Sequence, residues 1–338
     1  MLIYNTILFF GSFFLCYLLI PVFERIALKM GFVTTPAPGK IDRRKIPYCG
    51  GVAVFLSFLL IGSCILNFPL FYIRGNVFLP FLSTAAVIVF FGAYDDAKEL
   101  SPLRKLAAQI CGAVLIVLLS AKTQIMYIPD IMNCAISVLW IVVVINAFNL
   151  LDIIDGLAGS IALINCITFF IFAFLTGNYF VMAVSLMLSG FLTAFLRYNL
   201  PPARVFMGDA GSQFLGFSLA VLAIHLSFAS YGHEVGLLIP VVILVVPLFD
   251  LLFVVFMRRR QKKSIFLKSN DHFVFRMLQS GISNRKIIMA MSSVSLVASS
   301  CAFFIYRGSN EFGITIFILL IFSLLVYGNK LSRLEVNK

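Results

Sequence analysis

Four polar residues at three-residue spacing interrupt the apolar centre of the sequence: Asn146, Asn149, Asp152 and Asp155. Residues three apart on an α-helix are neighbours on one face, so the pattern predicts a polar wall of two amides and two carboxylates. Oxygens of this kind suit Mg²⁺ that is held together with substrate phosphates. A polar helix end in contact with lipid headgroups would explain the same pattern without any chemistry.

A second candidate cluster joins two adjacent carboxylates to a basic helix start. Asp95 and Asp96 precede Ser101-Pro102, a pair that is typical of an N-cap and the first helical position. The predicted helix carries Arg104 and Lys105 in its first turn, where cations oppose the helix dipole unless an anion binds there. The segment therefore predicts a phosphate site with a metal-binding or proton-accepting carboxylate, and a solvated acidic turn is the alternative.

A third candidate is Asp209, which stands between Gly208 and Gly211 just before an apolar run. Glycines allow the backbone to approach a ligand closely, and the start of the following helix favours phosphate. Farther along, Asp271 and Gly281 bracket a predicted short amphipathic helix, which we expect to begin at an Asp cap and to end at the glycine. Asp250 is expected to be a buried carboxylate that pairs with an arginine.

The composition excludes a soluble globular protein. The 338 residues are 61% hydrophobic and only 12% charged, whereas about 25% is usual for charged residues. With about 20 apolar residues needed for each transmembrane helix, the chain predicts eleven, at residues 2–22, 51–71, 77–93, 105–120, 134–150, 157–176, 179–196, 213–230, 236–256, 287–306 and 312–328. No soluble domain is left over, so residues 1–338 are predicted to form a single all-α, polytopic integral-membrane domain with about 10–11 transmembrane helices.

The charge pattern predicts the orientation. With the N-terminus outside, all but three of the 26 Lys and Arg residues fall on one side, and the exceptions are Arg74, Lys122 and Arg307. The positive-inside rule makes the basic side cytoplasmic. The net charge of +12 is then a topology signal that also suits anionic substrates or lipid headgroups, and it does not indicate nucleic-acid binding. Seven cysteines without a CxxC pair indicate neither disulfides nor zinc.

All three acidic clusters are predicted to face the cytoplasm. A transporter would place ionisable groups near the middle of the bilayer instead. The pattern favours Mg²⁺-assisted phosphoryl transfer between a soluble phosphate donor and a membrane-embedded acceptor.

Three segments carry a family resemblance: Tyr94-Asp95-Asp96 with Lys105 and Gln109, the Asn-x-x-Asn-x-x-Asp-x-x-Asp-Gly run of 146–156, and the run 208–216. Together they resemble the polyprenyl-phosphate N-acetylhexosamine-1-phosphate transferases (glycosyltransferase family 4). The family includes GlcNAc-1-phosphate transferases and the phospho-MurNAc-pentapeptide transferase. The match covers nearly the whole chain.

The resemblance implies transfer of HexNAc-1-phosphate from a UDP-sugar to undecaprenyl phosphate with release of UMP, in a multi-pass protein of the bacterial inner membrane. It implies Mg²⁺, with Mn²⁺ as a substitute, and it leaves a homodimer open. The implied metal ligands are Asn149 and Asp209. The implied catalytic residues are Asp95, Asp96, Lys105, Asp152 and His272, and the implied substrate-binding residues are Asn146, Asp155, Phe206 and Arg276, with Asp155 and Phe206 at the uracil.

The fifth cytoplasmic loop departs from the family pattern. Of the family's His-x-His-His cluster only His272 is present, with Val274 and Phe275 at two other positions. Because this loop helps to choose the sugar, a GlcNAc-type or modified HexNAc in surface polysaccharide synthesis, such as O-antigen or lipopolysaccharide, is favoured over a MurNAc-pentapeptide. A flippase or transporter of lipid-linked precursors and a catalytically impaired paralogue are the alternatives.

Overall fold

The structure is a computed structural model that describes residues 2–34, 45–67, 75–226, 228–229, 232–264 and 271–333. These residues form thirteen α-helices and one 3₁₀ turn (Glu234–Leu238) and contain no β-strand. The helices are α1 (Leu2–Met30), α2 (Gly50–Asn67), α3 (Gly75–Lys98), α4 (Pro102–Leu119), α5 (Asp130–Leu151), α6 (Leu157–Thr176), α7 (Tyr179–Asn199), α8 (Gly208–His225), α9 (Ile239–Ile243), α10 (Val245–Arg260), α11 (Phe273–Gln279), α12 (Asn284–Arg307) and α13 (Asn310–Ser332). The prediction of an all-α polytopic membrane protein is confirmed.

Every predicted span overlaps a helix or a bent helix pair, and the end of the predicted span 51–71, at residues 68–71, lies outside the described residues. Among the described residues, eight helices are long and apolar enough to cross a membrane, and a ninth span arises if Glu234–Ile243 and Val245–Arg260, which meet at 76°, count as one. Neither α2 nor α8 belongs to this set. Polar and small residues fill the first turns of α8, and the surrounding protein buries nearly all of this helix. Burial by protein, and not contact with lipid, therefore accounts for its position.

The chain divides into two compact units, Met1–Leu226 and Ser227–Lys338. In the first unit, α8 packs against α2, α3, α5 and α6. Close backbone contacts fix it there: a Cβ on Gly51 would lie 2.2 Å from the Gly211 nitrogen, and a Cβ on Gly92 would lie 2.6 Å from the Ala210 Cα. Small residues at such crossings let helix backbones touch. The start of α8 is therefore held at a fixed position along α3.

The predicted polar wall is only partly helical. Asn146 and Asn149 lie on α5, but that helix ends at Leu151, Asp152 is its C-cap, and Asp155 lies in the turn that follows. Gly156 adopts a left-handed conformation with φ of 78°, which ends any continuous helix between α5 and α6. The prediction of one continuous helical face was wrong, because the helix that carries the two amides ends before the two carboxylates, which lie at its C-cap and in the following turn.

The second unit contains α9 to α13. His272, and not Asp271, is the N-cap residue of α11, so the predicted Asp cap was wrong. Gly281 has φ of 82° just beyond the helix, as the predicted glycine stop requires. Asp250 is completely buried, and its Oδ2 lies 2.9 Å from His272 Nδ1. The carboxylate therefore has a histidine partner that the sequence analysis did not predict, and it also attracts the Arg258 guanidinium.

Candidate active site

Asp209 is the centre of a hydrogen-bonded cluster at the start of α8. Its Oδ2 lies 2.5 Å from Lys105 Nζ, and its Oδ1 accepts a hydrogen bond of 2.6 Å from Asn149 Nδ2. Asn149 Nδ2 lies 3.0 Å from Ser212 Oγ as well. The structure thus brings together one residue from each of the three motifs found in the sequence, on α4, α5 and α8.

Lys105 joins two carboxylates. Its ammonium lies 3.0 Å from Asp95 Oδ2 and also contacts Asp209. Asp95 Oδ1 accepts a hydrogen bond of 2.6 Å from the Leu100 amide, which fixes the turn before α4. The predicted helix start at Ser101-Pro102 is confirmed, with Ser101 as N-cap and proline in the first turn. The anions that face this basic first turn in the structure are protein carboxylates.

Asp96 caps α8 from a neighbouring helix. Its two oxygens accept hydrogen bonds from the backbone amides of Asp209 (2.8 Å) and Ala210 (3.1 Å). These amides lie in the first turn, whose donors have no partner within the helix. Gly208, with φ of 72°, makes room for the contact, because a Cβ there would lie 2.7 Å from Asp96 Oδ2. Asp96 therefore fixes the position of Asp209.

A chain of amide side chains extends the cluster along the helices. Asn146 Nδ2 donates to Gln109 Oε1 at 2.6 Å, and Gln109 Nε2 donates to Gln213 Oε1 at 3.2 Å. Gln109 and Gln213 are almost fully buried. Asn146 thus acts on α4 and α8 through hydrogen bonds, and its predicted contact with substrate stays a prediction.

Asp152 differs from the other carboxylates of the site. Its side chain makes no hydrogen bond within the described part of the chain, whereas Asp95, Asp96 and Asp209 are all engaged. Burial, followed by repulsion from Asp209, Asp96 and Asp155, raises the pKa of the Asp152 carboxyl to about 8. Close to neutral pH this group therefore carries a proton in the cation-free protein.

Asp155 and Phe206 border the cluster on a separate network. Asp155 Oδ2 accepts a hydrogen bond of 3.0 Å from the Ala203 amide. Asn199 joins the two segments, since its Oδ1 accepts from the Gly156 amide (2.9 Å) and its Nδ2 donates to the Val205 carbonyl (2.9 Å). The turn with Asp155 and the segment with Phe206 are therefore held as one piece.

His272 and Arg276 belong to the second unit. His272 is bound to Asp250, as described above, and is itself buried. Arg276 Nη1 donates to the carbonyls of Leu331 (3.4 Å) and Ser332 (3.5 Å) at the end of α13. Both residues therefore have partners within their own unit, and their predicted roles toward substrate stay predictions.

The cluster fits a divalent cation by its charge. Three carboxylates (Asp95, Asp96 and Asp209) lie around one ammonium (Lys105), and repulsion from Asp209 and Asp96 adds to burial in raising the pKa of the Asp152 carboxyl. In the described ranges, no group of three or more His, Cys, Asp and Glu side chains forms a metal site by itself. A cation would therefore need other oxygens, such as those of Asn149 or of a phosphate ligand, to complete its coordination.

The sequence model of glycosyl transferase family 4 matches residues 78–227, a segment that contains the whole Asp209 cluster. A probable undecaprenyl-phosphate N-acetylglucosaminyl 1-phosphate transferase of Bacillus subtilis (strain 168) is 30% identical over 316 residues, which cover 89% of this chain and 85% of that protein. The chain belongs to glycosyl transferase family 4. The resemblance inferred from the three motifs is therefore confirmed, and with it the prediction of a membrane-embedded transferase.

Two further relatives show the breadth of the family. A decaprenyl-phosphate N-acetylglucosaminephosphotransferase of Mycobacterium tuberculosis is 31% identical, with 82% of this chain and 78% of that protein covered. A phospho-N-acetylmuramoyl-pentapeptide-transferase of Lactiplantibacillus plantarum is 32% identical over 234 residues, with 63% of this chain and 71% of that protein covered.

Three residues of the site escaped the analysis of the sequence. Tyr48 contacts the Phe206 ring, Asn199 joins the turn of Gly156 to the segment before Phe206, and Ser212 contacts Asn149. Ser212 stands within a recognised motif and could have been singled out as a polar residue in an apolar helix. Tyr48 and Asn199 gave no such signal, because the ring partner of Tyr48 and the Gly156 partner of Asn199 lie far away along the chain.

Proposed function

We propose that this protein transfers N-acetylhexosamine 1-phosphate from a UDP-linked sugar to undecaprenyl phosphate and releases UMP. The observation that carries the proposal is the convergence of Lys105 and Asn149 on Asp209 at the first turn of α8. Ammonium groups bind phosphate oxygens, and carboxylates bind the cation that accompanies a diphosphate. The names of the relatives support the same class of reaction.

The reaction balances without a net proton transfer. An oxygen of the lipid phosphate attacks the sugar-bearing phosphorus of the donor, the bond from this phosphorus to the bridging oxygen breaks, and UMP leaves with that oxygen. A phosphate monoester loses its second proton near pH 6, so about neutral pH the acceptor is mostly the dianion and already nucleophilic. A strong base is therefore unnecessary, and direct attack is favoured over a covalent aspartyl intermediate.

A reaction without net proton transfer agrees with the hydrogen bonds that Asp95 and Asp96 already make. Both oxygens of Asp96 accept backbone hydrogen bonds, and Asp95 is occupied by Leu100 and Lys105. We infer that these two carboxylates position Asp209 and Lys105 and do not exchange protons with the acceptor. Lys105 would neutralise phosphate charge as it develops on the leaving group.

Asp209 and Asn149 would hold Mg²⁺, and the ionised carboxylate of Asp152 would add to the negative charge around it. Asn149 would use Oδ1, which exchanges places with Nδ2 by rotation of the amide. When bound, the cation would neutralise the diphosphate and favour UMP as a leaving group. Mn²⁺ has the same oxygen preference and should substitute.

For the sugar, we propose a GlcNAc-type or modified HexNAc that starts a surface polysaccharide of the O-antigen kind, at the cytoplasmic membrane. Two of the relatives named above are GlcNAc-type transferases that the chain matches over most of its length. The one histidine of the family's fifth-loop cluster that this chain keeps, His272, is paired with Asp250 on α10. A phospho-MurNAc-pentapeptide transferase remains the second candidate within the same reaction class.

A UMP-release assay tests the proposal. Purified full-length protein is incubated with undecaprenyl phosphate, Mg²⁺ and in turn UDP-GlcNAc, UDP-GalNAc and UDP-MurNAc-pentapeptide, with lipid product followed in parallel. We expect release of UMP and formation of lipid diphosphate sugar in equal amounts from a UDP-HexNAc, and loss of both on chelation of the cation. Absence of UMP from every donor, with folded protein, contradicts the proposed reaction, and turnover of the pentapeptide donor alone contradicts the proposed sugar.

A further inference from the structure

An aromatic corner borders the Asp209 cluster. The rings of Tyr48 and Phe206 have centroids 5.8 Å apart and planes tilted by 44°. Phe32 continues the row, with its ring 6.3 Å from that of Tyr48. All three side chains are half-buried, so each ring keeps part of its surface free.

The backbone holds Tyr48 from two sides. On one side, the Tyr48 amide donates to the Phe32 carbonyl at 3.4 Å, and the Thr34 amide donates to Ile46 at 2.9 Å. On the other side, the Phe206 amide donates to the Pro47 carbonyl (2.9 Å), and the Gly50 amide returns a hydrogen bond to the Phe206 carbonyl (3.0 Å). The ring is therefore placed before any ligand arrives.

The same side chain lies within the electrostatic reach of the acidic cluster. Burial raises the pKa of the Tyr48 hydroxyl, and the carboxylates of Asp96, Asp209 and Asp152 raise it further. Within the described part of the chain, this hydroxyl makes no hydrogen bond. Tyr48 thus contacts the aromatic residue that the resemblance assigns to uracil, and its hydroxyl is close enough to the acidic cluster to be influenced by its charge.

We propose that Tyr48 is a second aromatic contact for the nucleobase of the donor, and that Tyr48 and Phe206 together form a corner that selects a planar base. The inference rests on the proposed function and extends it by one specificity-determining residue. A base that stacks on one ring meets the face or the edge of the other, because the planes are tilted and not parallel. The hydroxyl is available to a polar atom of the nucleotide.

Nucleotide binding without turnover tests the proposal. Affinities of purified full-length protein are measured for UMP and for 5,6-dihydro-UMP, whose saturated base is neither aromatic nor planar. The variants are Tyr48→Leu, which removes the ring, and Tyr48→Phe, which keeps it. The matched control is Tyr179→Leu. Tyr179 lies at the first residue of α7, whereas Asn199, which belongs to the network beside the site, lies at the last.

We expect Tyr48→Leu to weaken UMP binding by about tenfold, the scale of one lost base–aromatic stack, and to weaken dihydro-UMP much less. The ratio of UMP affinity to dihydro-UMP affinity should therefore be smaller in Tyr48→Leu than in the parent, whereas Tyr48→Phe and Tyr179→Leu should keep the ratio of the parent. If Tyr48→Leu is not recovered folded, Tyr48→Thr carries the same expectation, with the thermal midpoint of ligand-free protein as the folding control.

Two results for Tyr48→Leu overturn the inference while the proposed function stands. One is a UMP affinity within about twofold of that of the parent protein. The other is an equal loss of affinity for UMP and for dihydro-UMP. If the parent binds no uridine nucleotide, the proposed function fails and the inference fails with it.

Discussion

Asp96 on α3 accepts backbone hydrogen bonds from Asp209 and from the following residue at the start of α8. The contact spans 113 positions of the sequence. A carboxylate at this end of a helix is stabilised by the unpaired amides and by the helix dipole. Asp96 and Asp209 therefore form one unit, in which the first residue places the second.

Replacement of Asp96 should reduce stability and activity together. Removal of an N-cap costs about 0.5–2 kcal/mol, so Asp96→Ala should lower the thermal midpoint by a few degrees as well as UMP release. Asp96→Asn keeps one acceptor oxygen and should lie between Asp96→Ala and the parent. Midpoints and rates are measured on the same preparations. A normal midpoint in Asp96→Ala with lost activity would instead indicate a role in chemistry.

Asp209→Asn should abolish turnover while the protein remains inserted and folded. The substitution removes the charge that faces Lys105 and that would face Mg²⁺, but the shape of the side chain stays the same. UMP release is measured across a range of Mg²⁺ concentrations, with Lys105→Met as a companion that removes the opposite charge. Near-normal activity of Asp209→Asn at limiting Mg²⁺ would show that Asp209 is not a ligand.

Cation binding should depend on pH through Asp152. Because the pKa of this carboxyl is about 8 without a cation, and a bound cation favours the ionised form, Mg²⁺ binding should release protons at neutral pH. Its affinity should rise as the pH increases toward about 8 and then level off. Calorimetry in buffers of different ionisation enthalpy measures the protons released. In Asp152→Asn, the protons that Asp152 releases on Mg²⁺ binding should no longer be detected. An unchanged number of released protons would show that they come from another group.

The same raised pKa predicts a trend in the stability of the cation-free protein. An unfolded Asp has a pKa of about 3.9, so between that pH and about pH 8 the folded state holds more protons than the unfolded chain. The contribution of Asp152 to the free energy of unfolding therefore decreases as the pH rises through this interval. Unfolding of parent and Asp152→Asn at several pH values measures the difference, which should grow toward the upper end.

His272→Ala should lower UMP release by at least about tenfold, the effect of one lost charge-assisted hydrogen bond to substrate, and His272→Gln by less. Because His272→Ala also leaves the buried Asp250 without its partner, His272→Ala/Asp250→Asn serves as the companion that removes the unpaired charge. His233, whose ring contacts the Ile305 carbonyl, is the control position. Full activity of the double variant would limit the pair to a structural role.

A topology assay checks the orientation on which the active face depends. A reporter fused after Lys338 should be cytoplasmic, and one inserted at Gly177 should be periplasmic, because the basic loops lie on the inner side. A cytoplasmic signal at Gly177 would place the motifs on opposite faces.

Local patterns predicted the helices, whereas contacts between distant residues could not be predicted. Apolar runs gave the spans, Ser101-Pro102 gave the start of α4, and the glycines around Asp209 marked the start of α8. The hydrogen bonds of Asp96 and the two roles of Asn199 depend on segments that meet only after folding. The cap of α11 was assigned one residue early because Asp271 has the stronger intrinsic preference for that position. The predicted helical wall failed because α5 ends at Leu151, which leaves Asp152 at the C-cap and Asp155 in the following turn.

The contact between Gly51 and Gly211 has a consequence for how such a protein can diverge. Here the main chains of α2 and α8 touch without any intervening side chain, since even a methyl group on Gly51 would lie 2.2 Å from a backbone nitrogen. At this point the spacing between the two helices is therefore set by their main chains. A single alanine at Gly51 should therefore force the two main chains apart and displace Asp209, although it adds only one methyl group.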